Sequence, residues 1–141
     1  MKLESFGRVL GFAAELEASD TVFYEALVNN PACASHKALF EELAKEKKKS
    51  EKNILRARRE NVTEMILEPI ADFDGESFTL NYDGPGSLSA EDALQRAMEN
   101  ETVGETFYNQ ASEKIKALSE VARLMKKMAK KRASIKERLE G

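Results

Sequence analysis

Glu17-Ala18-Ser19-Asp20-Thr21-Val22-Phe23-Tyr24 and Glu101-Thr102-Val103-Gly104-Glu105-Thr106-Phe107-Tyr108 are one short pattern written twice. In each, five residues separate an acid from a Phe-Tyr pair, and the two copies are offset by 84 positions. Both copies sit inside helical periodicity. Around the first, Phe6, Leu10, Ala13, Tyr24 and Leu27 recur at steps of three and four. Around the second, Leu94, Ala97, Tyr108, Ala111 and Ile115 do the same. Steps of three and four keep side chains on one face of an α-helix. The repeat extends further. Leu43-Ala44 overlays Met128-Ala129, Lys47 overlays Arg132, Ser50 overlays Ile135 and Ile54 overlays Leu139. The chain reads as a helical hairpin that has been duplicated.

Outward from these copies, four helices are predicted, over residues 3–29, 35–61, 89–112 and 118–139. Asn29-Asn30-Pro31 stops the first. Ser89 is a good cap for the third, with Asp92 three residues on in a capping-box-like arrangement. Residues 68–88 hold Pro69, Gly75, Gly84, Pro85 and Gly86 and form a long connection. Within it Phe78, Leu80 and Tyr82 alternate with polar residues, which predicts an extended piece lying along the helices. Two hairpins joined by such a crossover make an all-α four-helix bundle of the ferritin-like layout. The 141 residues are expected to form this one domain.

Composition narrows the function. There are 22 basic and 25 acidic residues, for a net charge of −3, which excludes a generally basic nucleic-acid coat. One cysteine, Cys33, excludes an internal disulfide and any four-cysteine metal site within the chain. No apolar run reaches membrane-spanning length, so no membrane association is expected. The charged start, Met-Lys-Leu-Glu-Ser-Phe-Gly-Arg, is unlike a signal peptide, and a cytoplasmic location is the expectation.

Extending each apolar stripe through the middle of its helix meets a charge. The four are Glu17 in the first helix, Lys47 in the second, Glu101 in the third and Arg132 in the fourth. A lone buried charge is strongly unfavourable, so these residues must pair or bind something. A central ion-pair cluster of Glu17, Lys47, Glu101 and Arg132 is expected, with the Tyr24 and Tyr108 hydroxyls beside Glu101 and Glu17. With two carboxylates and two cations the cluster would be neutral. The bland alternative is a wet region of the bundle where the charges stay solvated.

In these residues the chain resembles the rubrerythrin branch of the ferritin-like superfamily. The resemblance rests on Glu17 with Phe23-Tyr24, on 37–44 (Lys-Ala-Leu-Phe-Glu-Glu-Leu-Ala), on Glu101 with Phe107-Tyr108 and on 58–69 (Arg-Arg-Glu-Asn-Val-Thr-Glu-Met-Ile-Leu-Glu-Pro). It implies a bundle around a di-iron centre, with one Glu from each of the first and third helices and a Glu-x-x-His from each of the second and fourth. Glu17 and Glu101 stand at the first two positions. The other four hold Lys47 and Ser50, and Arg132 and Ile135. Asp20, one turn after Glu17, is a possible third carboxylate. His36, the only histidine, lies about three turns away and is expected at the surface or a helix end. Paired Cys-x-x-Cys motifs, as in the family's rubredoxin domain, do not occur in this sequence.

The expectation is therefore a non-catalytic binding or structural protein, with no metal or other cofactor and with salt bridges in place of the iron site. The rival is an iron-dependent oxidoreductase or peroxidase using Glu17, Asp20 and Glu101 in an altered ligand set. A third possibility is an anion-binding module. The second helix carries Lys45, Lys47, Lys48, Lys49, Lys52, Arg56, Arg58 and Arg59, and the fourth Lys126, Lys127, Lys130, Lys131 and Arg132. Against it, these cations are expected to pair laterally with the acidic first and third helices. No aromatic residue interleaves with them, so base stacking has no support and nucleic acid is not an expected partner. A homo-oligomer, most simply a dimer, is expected through an outer apolar helix face. Cys33 is expected to be a small apolar residue.

Overall fold

The computed structural model describes residues 2–61 and 69–141. The four helices fall where the periodicity puts them: α1 is Phe6–Val28, α2 is Lys37–Glu60, α3 is Ala90–Lys114 and α4 is Ser119–Glu140. Among the described residues there is no strand, only an isolated bridge between Lys2 and Asp74. Two boundaries have clear local causes. Ser5 accepts a hydrogen bond from the Arg8 N–H and starts α1, and Ser89 accepts from the Asp92 N–H and starts α3. The second helix begins later than the sequence pattern suggests. A 3-10 turn, Pro31–His36, follows α1 and ends at His36, just before Lys37. Asn30 caps that turn and also donates to the carbonyls of Pro85 and Leu88, both at 2.8 Å. It thereby ties the α1 end to the long connection.

α1 packs closely on α2, and α3 on α4, so each half of the chain is a helical hairpin. The hairpins meet across side chains in two apolar clusters. One holds Phe6, Leu10, Ile54, Phe107, Tyr108 and Met125; the other holds Tyr24, Leu27, Phe40, Leu43, Ala97, Ile135 and Leu139. Between them lies a layer of charge. Leu94, assigned to the inward stripe, is only half-buried, and its neighbour Ala93 takes the fully buried position.

The described part of the connection, residues 69–88, lies along α1 and α3. Phe73 stacks on Phe107 with centroids 5.7 Å apart, and Phe78 meets the same ring edge-on at 5.3 Å. Gly75 presses against Phe12, where a Cβ would come within 2.7 Å of the ring. Phe78 is buried and Leu80 and Tyr82 are half-buried, alternating with exposed Thr79 and Asn81. The resemblance stretch 58–69 lies partly outside the described residues, at 62–68, as does the predicted start of the connection.

Among the described residues no helix is long and apolar enough to cross a membrane. Val22 is the one large hydrophobic side chain exposed among them. The broad outer apolar face expected to mediate dimerisation is therefore not seen there.

Candidate functional site

Each of the four inward charges reaches the middle layer, and each is buried: Glu17 and Arg132 to 0% exposure, Glu101 to 0% and Lys47 to 2%. Lys47 Nζ lies 2.8 Å from Glu101 Oε1 and 4.0 Å from Glu17 Oε1. The Arg132 guanidinium bonds Glu17 through Nη2 and approaches Glu101 Oε1 at 3.3 Å through Nη1. The tyrosines are crossed between hairpins. Tyr24 of α1 donates to Glu101 of α3, and Tyr108 of α3 donates to Glu17 of α1 at 2.9 Å.

One correction concerns charge balance. Asp20 is a full member of the cluster, with Oδ2 3.1 Å from Lys47 Nζ and 2.9 Å from Arg132 Nη1. Three carboxylates thus face two cations, and the cluster formally carries one excess negative charge rather than being neutral. Glu17 Oε1, Asp20 Oδ2 and Arg132 Nε are buried there without a hydrogen bond of good geometry, so Asp20 Oδ2 meets its cations as ion pairs.

A second finding concerns Tyr82, which the sequence reading placed only along the bundle. Its hydroxyl donates to Asp20 Oδ1 at 2.6 Å, and its ring packs edge-on against Phe23. Asn81 and Asn100 hold it in place through a reciprocal pair: the Asn81 N–H donates to Asn100 Oδ1 at 2.9 Å and Asn100 Nδ2 donates to the Asn81 carbonyl at 3.0 Å. The signal for Tyr82 was faint, an aromatic in an alternating run with nothing to say which helix it would meet.

Gly104 explains how Arg132 fits. A Cβ at residue 104 would stand 2.4 Å from both Cζ and Nη1 of Arg132. The guanidinium therefore passes over the α3 backbone where no side chain exists, and it stacks 5.5 Å from the centre of the Tyr108 ring.

The electrostatics follow from burial and partners. Burial works to raise the Asp20 carboxyl, but Arg132, Lys47 and the Tyr82 hydrogen bond hold it below its ordinary value. Burial and the neighbouring Arg132 work against the Lys47 charge, yet Glu101, Glu17 and Asp20 outweigh them and hold Lys47 above its ordinary value. Burial likewise works against Arg132, and Asp20, Glu17 and Glu101 raise it well above its usual range. Burial and the facing carboxylates push Tyr24, Tyr108 and Tyr82 up, so all three remain hydroxyl donors.

The di-iron centre of the resembled family does not fit these residues. Lys47 and Arg132, the residues that the sequence resemblance would set at two carboxylate-ligand positions, take up oxygens of all three acids. Ser50 and Ile135, at the two histidine positions, are buried but offer no nitrogen; Ser50 accepts a hydrogen bond from Lys131 at 3.2 Å. Among the described residues no group of three or more His, Cys, Asp or Glu side chains is arranged to hold a metal ion. His36 lies at the junction before α2, with its ring 6.2 Å from Phe40, and Cys33 is buried. Burial pushes the Cys33 thiol up, away from a reactive thiolate.

No family model matches the chain, and no curated protein or solved structure gives a match.

Proposed function

We propose that the chain is a degenerate rubrerythrin-like, ferritin-like bundle in which fixed cations have taken the place of the metal ions, and that it acts as a non-catalytic binding or structural protein. A cytoplasmic location and a homodimer belong to the same proposal. One observation carries it: Lys47 Nζ and the Arg132 guanidinium occupy the midst of Glu17, Asp20 and Glu101, on the stripe positions where the resembled family carries ligands. Acids that would otherwise need metal ions to be buried together are held by side chains of the chain itself. The cluster presents no nucleophile, no histidine base and no open coordination position, so it holds the two hairpins together instead of performing a reaction.

Elemental analysis of protein purified from iron-supplemented cells tests this. The expected result is iron, manganese and zinc well below one per chain, without oxo-bridged di-iron absorption. Two tightly held metal ions per chain would overturn it in favour of the iron-dependent oxidoreductase.

A further inference from the structure

The lateral pairing expected to neutralise the basic helices is incomplete. Lys48 pairs with Glu25 of α1, Lys136 with Glu105 of α3, and Arg138 with Glu42 and Glu46 of α2. Other exposed cations of α2 and α4 are left over, and six of them fall into two rows. Lys49, Lys52 and Arg56 follow one another at steps of three and four on α2, and Arg123, Lys127 and Lys130 do so on α4. Such steps put each trio on one stripe of its helix. Both stripes lie on the side away from the buried residues Lys47, Ser50 and Ile54 of α2 and Met125, Met128 and Arg132 of α4. None of the six has an ion pair or side-chain hydrogen bond among the described residues.

The two stripes are neighbours. Arg138 Nη2 lies 2.8 Å from Glu46 and Lys131 Nζ 3.2 Å from Ser50, so numbers fall along α4 as they rise along α2. The Lys49–Arg56 portion of α2 therefore runs beside residues 135–125 of α4, which include Lys130 and Lys127, and Arg123 lies just beyond. The face is opposite the one that residues 69–88 cover, since those residues pack on α1 and α3.

We infer that this double basic stripe binds the phosphodiester backbone of double-stranded nucleic acid, without reading sequence. The chemistry of the stripe selects this partner. Its six members are cations, bounded one helical step beyond Arg56 and Arg123 by exposed Glu60 and Glu120, with no exposed aromatic to stack on a base and no large exposed apolar side chain to anchor a protein interface or enter a lipid layer. What such a surface can recognise is a regular row of fixed negative charges, and a duplex offers one about every 1.7 Å of its axis. The overall charge of −3 does not oppose this locally, because charges more than about 8 Å apart are largely screened at physiological salt. The missing aromatics that argue against base stacking leave backbone contact untouched. This inference is independent of the ionic core.

Fluorescence anisotropy with labelled mixed-sequence 20-bp DNA and RNA duplexes tests it on the full chain, the two duplexes separating the two sources of backbone. If about four of the six cations meet phosphates, affinity falls on the order of 100-fold between about 50 and 200 mM salt. The pair Lys52→Glu with Arg56→Glu is expected to abolish binding. The pair Arg8→Glu with Lys116→Glu makes the same change in net charge on other surfaces and is expected to leave affinity within about threefold. Circular dichroism checks that both variants stay folded. Absence of duplex binding at about 50 mM salt would overturn the inference. So would equal losses in the two variants, or binding to polyglutamate or phosphatidylserine vesicles in place of both duplexes.

Discussion

The Tyr24 hydroxyl lies 2.5 Å from Glu101 Oε2, although the two are 77 positions apart in the chain. Tyr108 makes the matching bond to Glu17, so each half of the duplicated sequence satisfies the buried acid of the other. Cations cross the shared face as well: Lys47 of α2 meets Glu101 of α3, and Arg132 of α4 meets Glu17 and Asp20 of α1. The ionic layer is thus shared between the two halves.

Removing a buried cation strands carboxylates in the core. Lys47→Ala and Arg132→Ala are each expected to cost about 3–5 kcal/mol in urea unfolding. Lys48→Ala, at a side chain 56% exposed and paired only with Glu25, is expected to cost under about 0.5 kcal/mol. Equal small effects at Lys47 and Lys48 would mean that Lys47 is solvated in solution.

Gly104→Ala places a methyl group against the Arg132 guanidinium, which its partners hold from three sides. The strain is expected to cost about 1–3 kcal/mol. In a double-mutant cycle with Arg132→Ala most of that cost disappears, because the obstructed group is gone. Strict additivity would show that Arg132 does not cross Gly104.

The pH dependence follows from Asp20 and Lys47. Asp20 is depressed by Arg132, Lys47 and Tyr82 against the opposing effect of burial, so its contribution is present above the ordinary value of 3.8 and lost as pH falls through the lower native value. Lys47 is raised by Glu101, Glu17 and Asp20 against burial and Arg132. Its contribution is complete below the ordinary value of 10.5 and lost as pH rises through the higher native value. These two groups therefore give a plateau between, with losses only at the extremes. In Asp20→Asn the acid limb contributed by this carboxyl is expected to shrink. Urea midpoints across pH check it, and an Asp20-dependent loss near pH 6 would contradict the assignment.

The quadruple change Lys47→Glu, Ser50→His, Arg132→Glu and Ile135→His writes two Glu-x-x-His pairs at the spacing of the resembled family. Residues three apart share a helix face, so both pairs should converge on Glu17 and Glu101. With Asp20 present, the variant brings five carboxylates together and is expected to be markedly destabilised in chelator. Ferrous iron is expected to raise its melting temperature by binding the native state. An unchanged melting temperature would detach this bundle from the di-iron reading.

Helix positions and the inward direction of Glu17, Lys47, Glu101 and Arg132 were legible in the sequence. Both depend on a period of three to four residues, which is a property of each helix alone. The internal repeat helped, since the Glu and Phe-Tyr pattern recurs at an offset of 84 and the helix that follows it at 85. Partner choice was not legible in the same way. Asp20 sits one turn from Glu17, and the period allows it inside without saying that it will meet Lys47 and Arg132. That meeting changes the formal balance of the core from neutral to one excess negative charge. Tyr82 lies in a segment without helical period, and its bond to Asp20 depends on how residues 69–88 cross α1 and α3. Gly104 reads in sequence as a weak spot in a helix, and only the path of Arg132 shows why the absence of a side chain there matters. Sequence by itself determined four helices and which face of each turns inward, because those are local consequences of spacing. The tertiary structure decided which charges pair and which cations remain unpaired, because those depend on distances between helices that no single helix encodes.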